Sequence, residues 1–393
     1  MVDNLIYLDY AATTPVDPEA LAAMQPFFGD HFGNPSSIYG LGQESRSVLD
    51  QARTTMARVL RVKPAELVIT SGATESDNLA LTGVAWEARL QHPGGAPPHL
   101  IVSKIEHSAV LYAARWLEQQ GFSVSYVACD QDGLVTPAAV EALIRPETCL
   151  VSIMYANNEI GTIQPIAEIA EDVHRHGARF HTDAVQAAGM LPLDVDALGV
   201  DLLTLSAHKF YGPKGIGLLY VRSDTRIAWT QRGGGQEAGR RGGTENVPAI
   251  VGMAVALAKA DHQREDYRRN CRERRDQLVT GLQARLPDLT LNGPSLDGPR
   301  LPNNANLSFP GVQGETLLLA LDMEGIAASA GSACTAGKSE PSHVLEAMGA
   351  SKEQMRSSFR FTVGRDTTAE EIDESIDIIT ASVERIRQLA RVA

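Results

Sequence analysis

Between residues 65 and 221 the chain alternates two patterns. Short β-rich runs, at 66–70, 100–104, 123–128, 150–154, 179–182, 202–206 and 217–221, read as strands. Between them, at 74–90, 109–120, 137–144 and 166–176, apolar residues recur at helical spacing. Alternation of strands and helices of this kind predicts a mainly parallel sheet with helices on both sides. In such sheets ligands sit beyond the carboxyl ends of the strands. Upstream, Asp17-Pro18 offers an N-cap and a first-turn proline for a helix over 18–28, and 45–60 reads as a second helix. Downstream, a charged helical stretch over 247–286 leads into a mixed segment, 289–363, and a final amphipathic helix at 369–392. The large unit is expected over 15–260, with 1–14 and 261–393 forming a smaller α+β unit.

Composition narrows the reading. Of the 393 residues 44% are apolar, enough for a large core, and the net charge of −13 (35 basic against 48 acidic) is spread without blocks, which disfavours nucleic acid as a partner. No apolar run reaches the length of a membrane span, and the N-terminus lacks a signal-peptide pattern, so a cytoplasmic protein is expected. The four cysteines, Cys129, Cys149, Cys271 and Cys334, are far apart and form no C-x-x-C pair, so neither a disulfide framework nor a zinc site is expected. Cys334 stands apart because it lies in a small-residue stretch, Gly331-Ser332-Ala333-Cys334-Thr335-Ala336-Gly337, where a thiol would be reachable.

Five strand ends carry chemistry. Ser206-Ala207-His208-Lys209 follows an apolar run and places one lysine in a setting that could lower its pKa for Schiff-base work. Thr70-Ser71-Gly72-Ala73-Thr74-Glu75 is a strand, a small-residue turn and a helix start, the arrangement that binds phosphate through free N–H groups. Phe180-His181-Thr182-Asp183 ends a strand on an acid, with Gln186 three residues on; an Asp there needs a cation, such as a protonated pyridine nitrogen. His107 and Asn158 follow two further strands, and Arg360 offers a guanidinium for a carboxylate. Each has an ordinary explanation alone: a surface lysine, a helix cap, loop polarity. Together they supply the lysine, the acid and the phosphate cup that pyridoxal phosphate requires.

On these motifs the chain resembles the group I cysteine desulfurases, class V aminotransferase-like enzymes of the fold-type I pyridoxal phosphate superfamily. The resemblance runs from Tyr7-Leu8-Asp9-Tyr10-Ala11-Ala12-Thr13-Thr14-Pro15 through the segments above and Arg240-Arg241-Gly242-Gly243-Thr244-Glu245-Asn246 to Gly331-Ser332-Ala333-Cys334. It implies a seven-stranded sheet, Lys209 as the cofactor's lysine, His107 stacked on the ring and active in proton transfer, and Asp183 and Gln186 on the ring nitrogen and phenolic oxygen. Ala73, Thr74, Ser206 and His208 would hold the phosphate, with Thr244 doing so across a homodimer interface. Asn158, beside the cofactor, would also bind the substrate carboxylate with Arg360, and Cys334 would accept the sulfur. The family's pattern has His where Tyr39 stands and Arg where Ala238 stands.

The resemblance further implies removal of sulfur from L-cysteine, giving L-alanine and a persulfide on Cys334. That sulfur would go to an acceptor such as an iron–sulfur scaffold or a tRNA-thiolating enzyme. No resident metal is expected, only Cys334 as a transient iron–sulfur ligand. A pyridoxal phosphate aminotransferase or a selenocysteine lyase would share Lys209 and Asp183; an aminotransferase would have no use for Cys334. A non-catalytic scaffold would need neither Lys209 nor Asp183.

Overall fold

In the computed structural model residues 5–330 and 341–392 are described. The central sheet has seven strands in the order Leu67–Thr70, Gly217–Val221, Leu202–Ser206, Arg179–Asp183, Thr148–Ser152, His99–Ser103 and Ser123–Val127. The last five run parallel, while Gly217–Val221 is antiparallel to both of its neighbours. Six of the seven strands are buried along nearly their whole length, and only the edge strand Ser123–Val127 is half-exposed. That is why strands such as Leu67–Thr70 and Gly217–Val221 show continuous apolar runs instead of alternation.

Helix Pro18–Met24 starts where the sequence predicts, with the Asp17 carboxylate accepting from the Glu19 amide at 2.9 Å. The next helix, Gly40–Leu60, begins five residues before the expected 45. Its glycines look like breakers, but a Cβ on Gly42 would lie 2.7 Å from the Asn34 carbonyl oxygen, so close packing requires glycine within the helix.

The stretch over 247–286 is two helices, Val247–His262 and Arg264–Arg285, meeting at Gln263. The first is apolar and packs against Pro18–Met24 and Gly40–Leu60; the second is charged and packs against Ala369–Val392. Different neighbours require different axes, and the chain bends between them. Residues 290–362 contribute a second sheet, antiparallel, in the order Ser329–Ala330, Ser358–Thr362, Asn304–Ser308 and Thr290–Leu291. The N-terminal strand Ile6–Tyr7 pairs in parallel with Ile326–Ala327. Among the described residues no helix is long and apolar enough to cross a membrane.

Candidate active site

The carboxyl ends of the strands open on a cavity of about 610 Å³. Its lining takes Ala73 and Thr74 from the turn after Leu67–Thr70, His107 after His99–Ser103, Asn158 beyond Thr148–Ser152, Asp183 and Gln186, and Ser206, His208 and Lys209 after Leu202–Ser206. Arg360 reaches the same cavity from the second sheet. Thr244 is exposed and lies outside this lining. Cys334 lies outside the described residues.

One end of the cavity is an anion cup. Helix Ala73–Gln91 begins without a side-chain cap, because its N-cap is Gly72, so the first-turn N–H groups have no intrahelical acceptor. Gly217 makes room for this turn: a Cβ there would lie 2.6 Å from the Gly72 carbonyl carbon. Ser206, His208 and the exposed Lys214 complete the wall. Among the described residues the acid in the cup is Glu75, neutralised by Arg241, whose Nε donates to it at 2.8 Å. That contact and the Ser71 amide hold its carboxyl below the usual range despite burial.

At the sheet floor Asp183 is fully buried, and one of its oxygens accepts from the Val185 amide at 2.9 Å. Burial pushes its pKa up to about 6, and the charge of Lys209 opposes that shift. A carboxylate so placed is stabilised by a cation in the cavity, which the protonated nitrogen of a pyridine ring supplies. With a lysine amine, an uncapped helix start and a sealed carboxylate on one cavity, the residues present fit pyridoxal phosphate. Three further buried titratable groups lie close by: Asp77, Glu106 and His181. In the sequence they look like ordinary helix, turn and strand polarity, and nothing in their pattern shows their burial.

His107 caps helix Ser108–Gln119, its Nδ1 accepting from the Ala109 amide at 3.2 Å. Burial, and then the charges of Lys209 and His343, lower its pKa to about 4. The Lys209 amine donates to the carbonyl oxygens of Ala11 and Ala12, each at 2.7 Å. This N-terminal segment also receives the Gln186 amide on Ala11 and a hydrogen bond between Thr13 and His208. Ala11, Ala12 and Thr13 line the cavity, yet as two alanines and a threonine they carry no chemical signal in the sequence. Arg360 donates to the Asn158 carbonyl at 3.0 Å and to the Asp9 carboxylate at 2.8 Å.

The aminotransferase class-V family model matches residues 6–374. Cysteine desulfurase IscS of Dictyoglomus turgidum is 45% identical over 385 residues, which covers 98% of this chain and 96% of that protein. A solved NifS-like protein superposes with a TM-score of 0.90 at 37% identity, covering 97% of this chain and all of the other. A structure of SspA in complex with cysteine gives 0.78 at 36% identity, over 92% of this chain and 99% of that one. The chain belongs to the class-V aminotransferases, enzymes dependent on pyridoxal phosphate, and among them to the cysteine desulfurases.

Proposed function

We propose that this enzyme takes sulfur from L-cysteine and leaves it as a persulfide on Cys334, with L-alanine as the second product. The observation that carries this reading is the convergence of Lys209, Asp183 and the uncapped start of helix Ala73–Gln91 on one cavity. The neighbour that binds cysteine supports the choice of substrate. Pyridoxal phosphate, when bound, supplies an electron sink for the substrate's Cα. The first-turn amides of Ala73 and Thr74, with Ser206 and His208, would hold its phosphate; Asp183 and Gln186 would hold its ring nitrogen and phenolic oxygen; Lys209 would be its attachment point.

The substrate carboxylate rests on Arg360 and Asn158. The Lys209 amine, once freed by the substrate's amine, would take the Cα proton, and His107, neutral at working pH, would stack on the ring and pass protons at the cavity wall. The Cys334 thiolate attacks the substrate sulfur. The new S–S bond forms as Cβ–S breaks, Cβ gains a proton to become the methyl group of alanine, and the proton held by Lys209 returns to Cα.

Thr244, exposed and outside its own chain's cavity lining, would serve a second copy in a homodimer. The segment 15–260 forms the cofactor-binding unit, and 1–14 with 261–393 the smaller one. The persulfide passes in the cytoplasm to an acceptor such as an iron–sulfur scaffold protein, where Cys334 serves as a transient cluster ligand.

Incubation of the holoenzyme with L-cysteine and a reductant tests the reading: alanine and sulfide are expected in equal amounts. Cys334→Ala should still change the cofactor's absorbance with L-cysteine but yield no persulfide. Sulfide release undiminished in Cys334→Ala overturns that role. Lys209→Ala should leave no borohydride-reducible link between cofactor and protein.

A further inference from the structure

Arg360 is buried at 3% exposure, and its guanidinium stands between the cavity it lines and Asp9, which lies outside that lining. Three stretches of chain fix the arrangement. Arg360 is the centre of strand Ser358–Thr362; Ser329 sits opposite it in the register of Ser329–Ala330; and Asp9 bridges to Thr362 beside them. One Asp9 oxygen accepts from Arg360 Nη2 at 2.8 Å, and the other accepts from Ser329 Oγ at 2.8 Å. The Asp9 backbone is held as well, since the Tyr7 hydroxyl donates to its carbonyl at 3.0 Å. Asp9 is therefore clamped and not free to swing away.

The remaining donors of Arg360 are partly spoken for. Nη1 donates to the Asn158 carbonyl at 3.0 Å, while Nε is buried without a hydrogen-bond partner among the described residues. Of the other acids nearby, Glu159 is engaged by the Ser342 hydroxyl at 2.5 Å, and burial favours its neutral form. Among the described residues Asp9 is the carboxylate in contact with Arg360, so the guanidinium is already paired before any ligand arrives.

A carboxylate binding Arg360 from the cavity then meets a cation whose charge is already shared. Two anions on opposite edges of one guanidinium repel through a poorly screened interior, where such charges act more strongly than in water. We propose that Asp9 is an internal competitor of the substrate carboxylate, setting the enzyme's affinity for amino acids low and turning away those whose side chains carry a second negative charge. This rests on the reading of Arg360 as the carboxylate's partner. In that role Asp9 is a specificity-determining residue that acts through Arg360.

The test is binding of L-alanine and of L-aspartate to the holoenzyme, followed by titration calorimetry and by the absorbance of the bound cofactor. Asp9→Asn keeps an acceptor for Arg360 and removes the charge. It should tighten L-alanine binding about tenfold, tighten L-aspartate by a larger factor, and lower KM for L-cysteine by more than it changes kcat. Asp9→Ser, neutral and smaller, should move affinity in the same direction. A purely structural role for Asp9 predicts the opposite sign in both. If either variant folds and binds L-alanine no tighter than wild type, while Arg360→Gln loses L-alanine affinity, the competition is overturned and the arginine's role stands. If Arg360→Gln binds L-alanine as well as wild type, the underlying reading fails and the competition falls with it.

Discussion

Glu237 accepts a hydrogen bond from the backbone N–H of Ile69 at 2.9 Å. Its other oxygen pairs with Arg53 at 2.5 Å, and both side chains are largely buried. Ile69 belongs to the strand that leads into the anion cup, and Glu237 to the loop that leads to Thr244. One carboxylate thus fixes the loop to the strand. Glu237 and Ala238 both adopt left-handed backbone, with φ of 50° and 57°, a strain that the clamp holds in place.

Glu237→Ala would leave the Ile69 N–H without an acceptor inside the protein and strip the Arg53 guanidinium of its anionic partner, leaving it the Leu67 carbonyl at 2.9 Å. Breaking a buried pair from one side costs about 3 kcal/mol or more, and denaturant unfolding at fixed cofactor concentration should show a loss of that order. Glu237→Gln, which retains an acceptor for Ile69, should lose less.

Glu106 gives a pH signature. It is fully buried, one oxygen accepting from the Ser103 hydroxyl at 2.6 Å and from the Met154 amide at 2.8 Å. Burial raises its pKa from 4.5 to about 8. The folded protein therefore holds this proton more tightly than the unfolded chain does. Its contribution is full below pH 4.5, falls as pH rises, and is gone above about 8. Between those limits wild type should lose stability relative to Glu106→Gln by about 1.4 kcal/mol per pH unit, measured as the difference between the two unfolding free energies.

For His107, with Nδ1 accepting from Ala109 and a pKa near 4, the imidazole is neutral with its proton on Nε2. Nitrogen NMR should show that tautomer and no titration between about pH 5 and 8. His107→Phe keeps a flat ring but cannot move a proton, and kcat should fall by about 10² or more. A kcat within a factor of about two of wild type would confine His107 to stacking.

Most strands from 67 to 221 were legible because they are buried on both faces and rich in apolar residues, whereas Ser123–Val127, the half-exposed edge, and Arg179–Asp183, with one apolar residue, were legible from their place in the alternation of strands and helices. The second sheet was not: Asn304 and Asn306 in Asn304–Ser308 look like surface polarity, yet both are buried and donate to the Glu159 carbonyl. Lys209, Asp183 and Ala73-Thr74 could be read because each lies at the end of a strand-like run. The contributions of Ala11 and Ala12 could not, since they act through backbone carbonyls that any residue supplies. Asp183 was open to a plain capping role, and it does accept from the Val185 amide; what the sequence could not display is that it also lines the cavity.

Gly217 poses a sharper test of the anion cup, because it has no polar group to lose. It pairs with Thr70 in the sheet, directly beneath the turn that opens helix Ala73–Gln91. A methyl group there would lie 2.6 and 2.7 Å from the Gly72 carbonyl carbon and Cα and 2.9 Å from the Leu205 carbonyl oxygen. All three are backbone atoms, so the turn itself must move. Gly72 has φ of 154°, a conformation that L side chains rarely adopt, and it cannot shift without re-aiming the amides of Ala73 and Thr74. Gly217→Ala should therefore fold with its sheet intact but retain pyridoxal phosphate less tightly. Equilibrium dialysis should show affinity falling by about tenfold or more, the equivalent of one lost charge-assisted hydrogen bond. Unchanged affinity would show that these amides do not hold the phosphate.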